Sequence, residues 1–441
     1  MTPAAPIAGL KETGYTPHAN YQKASYGQTP ATMATTLTFG DSLRCELELH
    51  DFTFLAADRE HHPAIGDPAA AVRKALAHPV GYPPLAAATV PGDHVAIALD
   101  EGVPQTAMIL RGAVAALLDA NVAPAMLTIV SIREIENREA LNKVLTELGA
   151  GAVRFEVHDP DDELAVAMVG VNSNGEPLRM NRTLAEADLV LPIGVGRLPT
   201  NNGASAEKFA SLFPHFSSRE TADRLRSQAG SESPKVRKRR AKEIDEAGWL
   251  LGVGMTLSVT PGPAGGVAAV FAGDPEAVAR SAAEHSQAIW ERPVARQGDL
   301  VIATVVGDHR EQTWENLGLA VAAASAVVDP GGAIAVCSEL DEPPSGSLNR
   351  LLEAVDFGEV QHELLQDEDG DAKPAMALAQ ALELGPVYLR SRLPADVVEA
   401  LGMTPIADDN ELARLAAGRE HCILIEEAQH VVPKLINRDE S

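Results

Sequence analysis

The 441-residue sequence predicts an α/β protein of two domains, each with a mainly parallel sheet flanked by helices. Two observations predict it. Short β-branched runs alternate with amphipathic stretches from Asp93 to Ile193, and the same rhythm resumes after residue 275. A chain this long also exceeds one ordinary core.

The first 35 residues are rich in Thr, Ala, Pro and Tyr and lack the apolar core of a signal peptide, so residues 1–35 read as a flexible tail. The first domain is expected over residues 36–274. Its strands are Val95–Leu99, Met126–Val130, Val153–Val157 and Leu189–Ile193, with helices near Thr106–Asn121 and Arg138–Leu148 between them. From Ser217 to Lys242 large apolar residues are scarce, which predicts a connection followed by a helix. Two strands, Leu250–Val259 and Gly266–Ala272, then flank the turn Thr260-Pro-Gly-Pro263.

The second domain is expected over residues 275–405. It opens with a helix at Pro275–Gln287 and continues through a strand at Leu300–Val306 and a helix around Glu315–Val328. A Gly331-Gly332 turn precedes a strand at Ala333–Ser338. The last segment, 406–441, supplies a helix at Glu411–Ala417 and a strand at Cys422–Glu426. It is assigned as returning to the first domain, with the second as the alternative.

A hydrophobic share of 45% with 22% charged residues describes a globular chain. The formal charge of −26 argues against a nucleic-acid partner, because phosphate contacts need a basic face. One run breaks the trend, Lys235-Val-Arg-Lys-Arg-Arg-Ala-Lys242, which reads either as a solvated helix face or as a polyanion patch. Three widely spaced cysteines (Cys45, Cys337, Cys422) form neither a disulfide framework nor a zinc signature, and no stretch is long enough to span a bilayer. The expectation is a cytoplasmic protein with no membrane partner.

Polar residues gather at the ends of the predicted strands: Asp100-Glu101-Gly102, then Ser131 and Arg133, then His158-Asp159, then Gly194 to Lys208. In parallel sheets ligands bind beyond the carboxyl ends of the strands, so these positions form a candidate site. Each has a plainer reading. Asp100 can cap the following helix, Lys208 can be a surface lysine, and His158 and His215 can be satisfied polar residues.

The segments Val157-His158-Asp159-Pro160-Asp161-Asp162 and Gly170-Val-Asn-Ser-Asn-Gly175-Glu-Pro-Leu-Arg-Met-Asn181-Arg182 resemble the nickel-dependent lactate racemase family. So do Glu186-Ala-Asp188-Leu-Val-Leu-Pro-Ile193-Gly194, Val270-Phe-Ala-Gly-Asp274-Pro, Pro330-Gly-Gly332 and Val387-Tyr-Leu-Arg-Ser-Arg-Leu-Pro394, in order and spacing. The similarity covers roughly residues 90 to 430. It implies an active-site cleft between the two domains, and a nickel pincer nucleotide tethered to a lysine. It further implies racemisation of a small 2-hydroxy acid by hydride transfer to that cofactor, and cofactor-maturation proteins as partners.

Carried over position by position, the resemblance implies Asp100, Arg133 and His158 as catalytic positions. Lys208, Ser205, Gly203 and Gln312 become cofactor contacts and His215 a nickel ligand. Several family positions are altered. Val103 replaces an arginine of the first strand end, and Arg133 stands where the family has a histidine, although arginine stays protonated and is no general base. Pro199 lies near a second histidine position, and Gln312-Thr-Trp-Glu315 puts an acid where the family has a lysine. Three readings follow. One is a racemase or epimerase of a 2-hydroxy acid other than lactate, with Arg133 and Arg197 as a substitute carboxylate clamp and His158 or His215 as a substitute base. Another is a non-catalytic paralogue that binds a small anion or nucleotide. The third is a different enzyme that uses the Asp100–Glu101 acid pair with a metal such as Mg²⁺. Oligomeric state is open at this point.

Overall fold

The computed structural model describes residues 33–436 apart from 136, 197–207, 228–233, 353, 355 and 365–371. Among the described residues, two six-stranded sheets carry the architecture. The first has the order β11-β10-β9-β4-β5-β6, with β4 Val95–Leu99, β5 Leu127–Ser131, β6 Arg154–Val157, β9 Leu189–Val195, β10 Thr256–Pro261 and β11 Val267–Gly273. All of these run parallel except β11, which forms a hairpin with β10. The second has the order β16-β15-β14-β13-β17-β3, all parallel, with β3 Phe52–Leu55, β13 Gly298–Thr304, β14 Val328–Cys337, β15 Val387–Arg390, β16 Thr404–Pro405 and β17 Cys422–Ile425.

Burial explains why the central strands read as unbroken apolar runs. In β4, Val95, Ile97 and Leu99 enter a core with α1 (Pro68–Ala77) and α3 (Thr106–Asp119), while Ala96 and Ala98 face Leu212, Phe213 and Phe216 on the other side. In β13, Val301 and Ala303 face α9 (Trp314–Ser325) and α12 (Ala372–Leu384). Leu300 and Ile302 of the same strand face the hairpin β1 (Met33–Phe39) and β2 (Leu43–Leu49) together with α14 (Asp409–Ala416). Successive side chains therefore enter opposite apolar layers, as a sheet covered on both faces requires. Gly273 closes the first sheet at φ +136°, where a Cβ would lie 2.1 Å from the Val80 carbonyl oxygen. No L side chain fits there.

Several elements differ from the sequence expectation. The Ser217–Lys242 stretch holds two helices, α6 (Arg219–Ser227) and α7 (Pro234–Leu250), so Leu250 ends a helix and the strand that follows starts only at Thr256. The expected Gly331-Gly332 turn is present as a bulge inside β14: residues 329–332 stand out of the pairing with β13, with Gly331 at φ 78°. The hairpin β7 (Val166–Val171) and β8 (Pro177–Asn181) was not anticipated. Residues 52–55, expected with the first domain, pair as β3 with β17 in the second sheet. Residues 422–425, assigned to a return to the first domain, lie there too. Nothing in a four-residue apolar run specifies its neighbour; parallel partners are chosen by packing across the whole sheet.

The carboxyl ends of the two sheets meet through particular contacts. After β10, the Ala264 N–H donates to the carboxylate of Glu427, which follows β17. Helix α8 (Pro275–Trp290) crosses between the sheets. In its last third the Ser286 hydroxyl donates to the carbonyl of Gly196, which follows β9 of the first sheet. At its end Trp290 is buried in the core of the second sheet, donates its indole N–H to the Pro261 carbonyl at 3.1 Å and packs on His430. We expect Trp290→Ala to lower unfolding free energy by about 3–5 kcal/mol, the range for truncating a buried aromatic, measured by urea titration.

Candidate functional site

Because β4, β5, β6, β9 and β10 are parallel, their carboxyl ends lie along one edge, and the sequence-derived candidates Asp100, Arg133 and His158 follow three of them directly. Asp100 is buried. Its N–H donates to the Ile193 carbonyl of β9, and its carboxylate accepts the Glu101 N–H at 2.9 Å. It does not cap α3, which has no side-chain cap. A Cβ on Gly194 would sit 2.3 Å from Ser211 Cβ and 3.7 Å from Asp100 Oδ2, so glycine there lets residues 208–217 approach the strand ends.

Arg133 extends from the end of β5 and pairs its Nε with Glu101 at 2.6 Å; its side chain is 83% exposed. Among the described residues Glu101 is the one ion-pair partner of this side chain. This pair also engages the Glu101 carboxylate, which the metal-acid reading would need. Lys208 is 29% exposed and pairs with Asp245 of α7 at 3.4 Å, three residues before Ser211. Gly203, Ser205 and Arg197 lie outside the described residues.

His158 is a different kind of residue from the base that sequence suggested. It is 5% exposed, and Nε2 lies 2.9 Å from the Ser217 carbonyl, which can only accept, so Nε2 carries the proton. Nδ1 faces the Asn181 amide at 3.4 Å, and that amide also donates to Glu156. Both ring nitrogens are engaged within the protein, which suits a group that ties the end of β6 to β8 and to the turn at Ser217. Burial lowers its pKa from 6.5 against the opposing pull of the Ser217 bond.

The remaining candidates are dispersed. His215 is exposed on the turn before Ser217, and among the described residues no group of three His, Cys, Asp or Glu side chains is placed to hold a metal ion. Gln312 belongs to the second sheet. Its Oε1 accepts the Ser338 hydroxyl and the Glu339 N–H, both at 2.8 Å, and its Nε2 donates to the Gly307 carbonyl. It braces the loops that follow β13 and β14, with little capacity left for a ligand.

Two features of the edge were not found from sequence. Helices α3 and α4 (Arg138–Glu147) follow β4 and β5, and each begins after a residue at φ 50°, Gln105 and Asn137, without a side-chain cap. By contrast, Asp67, Asp274, Thr313 and Asp408 cap α1, α8, α9 and α14. Spacing shows a helix start but not whether the first side chain turns back onto it. The second feature is the acid pair Glu426 and Glu427, both bonded to Arg59, whose carboxyls burial pushes up in pKa. Two adjacent glutamates after a strand carry no sequence signal of burial.

A pH test isolates His158. Its folded pKa lies below the unfolded 6.5, so the unfolded chain takes up the proton first and stability is lost as pH falls below 6.5. The stability advantage of the wild type over His158→Gln should shrink on going from pH 7 to about pH 5.5, by paired urea titrations. His285 and His421 have lowered values for the same reason, so the variant keeps part of the overall slope.

Residues 40–198 match the family described as the lactate racemase N-terminal domain. No curated protein matches the chain in sequence. Among solved structures, the lactate racemase apoprotein from Thermoanaerobacterium thermosaccharolyticum is similar in fold, with a TM-score of 0.70 and 18% identity over 91% of this chain and 100% of that one. A protein from Thermotoga maritima is similar at a TM-score of 0.58 and 15% identity, over 84% of this chain and 99% of that one. The chain is thus similar to the lactate racemase N-terminal domain over residues 40–198 and to the fold of the lactate racemase apoprotein over most of its length.

Proposed function

We propose that this lactate racemase-like protein binds a small carboxylate of the 2-hydroxy acid class at the carboxyl edge of the first sheet, as a binding paralogue. The observation that carries the reading is the pair of uncapped N-termini of α3 and α4 on that edge, beside the exposed Arg133. Helix N-termini present unpaired N–H groups and a partial positive charge, and an arginine fork matches a carboxylate. In a chain of net charge −26, such a local positive field is what would hold a small anion.

The nickel pincer nucleotide implied by the family does not fit the described residues. His158 has both nitrogens engaged, His215 stands on the surface without a cluster of donors, Gln312 is spent on loop contacts, and Arg133 cannot accept a proton. The donor set and the base for hydride-transfer racemisation are both wanting, and binding is what the remaining groups support.

One observation favours the isomerase reading, a racemase or epimerase of a hydroxy acid other than lactate. Lys208, the position of the tether, is partly buried and lies three residues from the Ser211 that packs beside Asp100.

Intact mass and metal analysis of the chain expressed together with nickel-pincer maturation proteins separates the two. The expected result is an unmodified, nickel-free chain, whereas a nucleotide-sized adduct at Lys208 with nickel would establish the isomerase. In parallel, thermal unfolding with a panel of 2-hydroxy acids should show one that stabilises the chain, by about 2.7 kcal/mol at a hundred times its Kd. Arg133→Ala should remove most of that stabilisation; an unchanged shift would place the anion elsewhere.

A further inference from the structure

The basic run of α7 takes no part in the site described above. Six of the eight residues from Lys235 to Lys242 are Lys or Arg, in a chain whose formal charge is −26. Like charges three and four apart destabilise the helix that carries them. Lys235, Arg237, Lys238 and Arg239 make no ion pair among the described residues. Lys235, Lys238, Arg239 and Lys242 are exposed, and their spacing puts them on one stripe of the helix. Beyond Lys242, which is itself paired with Glu246, the stripe passes Asp245 (paired with Lys208) and Glu246 and reaches Trp249, which is 77% exposed, so its open positive charge lies at Lys235, Lys238 and Arg239.

We propose that this stripe is a docking surface for an acidic polypeptide segment carrying an apolar residue at one end. The acidic part lies along Lys235 to Lys242, and the apolar residue packs on Trp249. Trp and Arg are the residue types that most often anchor protein interfaces. From Lys235 to Trp249 the stripe is about 21 Å long at 1.5 Å per residue, the span of roughly six extended residues.

Charge and packing favour a peptide over a membrane or a duplex. The apolar face of α7 is occupied: Ile244 and Ala247 are buried and Gly248 lies against the Phe209 ring, so the helix has no free apolar face to insert into lipid. A broad anionic surface would bring other acidic parts of the chain within the screening length of about 8 Å, whereas a narrow peptide touches the stripe alone.

The test uses the full chain and a fluorescein-labelled peptide of three glutamates, two serines, leucine and phenylalanine, whose acidic part matches the length from Lys235 to Lys242, read by anisotropy and by tryptophan emission. The expected result is saturable one-to-one binding with a blue shift of emission, weakening about tenfold or more between low and high salt. The triple variant Lys235→Glu, Lys238→Glu, Arg239→Glu should bind at least about tenfold more weakly. Trp249→Ala should lose the blue shift and about fivefold in affinity while keeping the salt dependence. Circular dichroism and thermal unfolding check that both variants fold. Absence of saturable binding, wild-type affinity in folded variants, or tighter binding of phosphatidylserine vesicles or of a short DNA duplex than of the peptide overturns the proposal.

Discussion

A carboxylate with almost no water around it must be held by the protein, and Glu427 draws its partners from both sheets. It is 2% exposed, accepts the Ala264 N–H from the loop after β10, and pairs with Arg59 from the loop after β3. Burial pushes its pKa up while those two partners pull it down. Removing one partner of such a group leaves an uncompensated buried charge, which is why the contact constrains the geometry around it. Trp290 adds a second tie between the same two regions, through the Pro261 carbonyl and the ring of His430. The carboxyl edges of both sheets are brought together by these contacts.

At the first edge, polar groups divide into those used by the fold and those left open. His158, Asn181, Glu156 and Ser217 form a closed set of hydrogen bonds that secures the end of β6. Gln312 does similar work between loops of the second sheet. Among the described residues Arg133 pairs with Glu101 alone, and α3 and α4 have no side-chain cap, which is why the proposed anion site is placed there. A histidine with both nitrogens satisfied and an arginine at the protein surface favour binding of an anion over transfer of a proton.

Much of the fold could be read from the chain. Buried parallel strands are continuous apolar runs, and Val95–Leu99, Leu127–Ser131 and Leu189–Val195 lie within a residue or two of where the pattern put them. The strands flanking the Thr260-Pro-Gly-Pro263 turn pair as the hairpin of β10 and β11, although α7 runs on to Leu250. Less legible were β3 and β17, because a short apolar strand fits beside any neighbour of suitable twist, and the segment from Ser217 to Lys242, where polar residues pack as helices against the β7–β8 hairpin. Of the site, Asp100, Arg133 and His158 were found at strand ends as expected, but spacing could not tell an open side chain from a satisfied one.

By itself the sequence determined the alternation of strand and helix and the placement of polar residues at carboxyl ends, since these depend on residue type and local periodicity. Only the tertiary structure decided which sheet each terminal segment joins, that His158 is locked between Ser217 and Asn181, and that the N-termini of α3 and α4 stay uncapped. The caps turn on the rotamer of one side chain, and the physical reason for the other two is shared. Sheet partners and hydrogen-bond partners far apart in the chain are selected by packing, and no local pattern encodes the residue that will arrive from the other side.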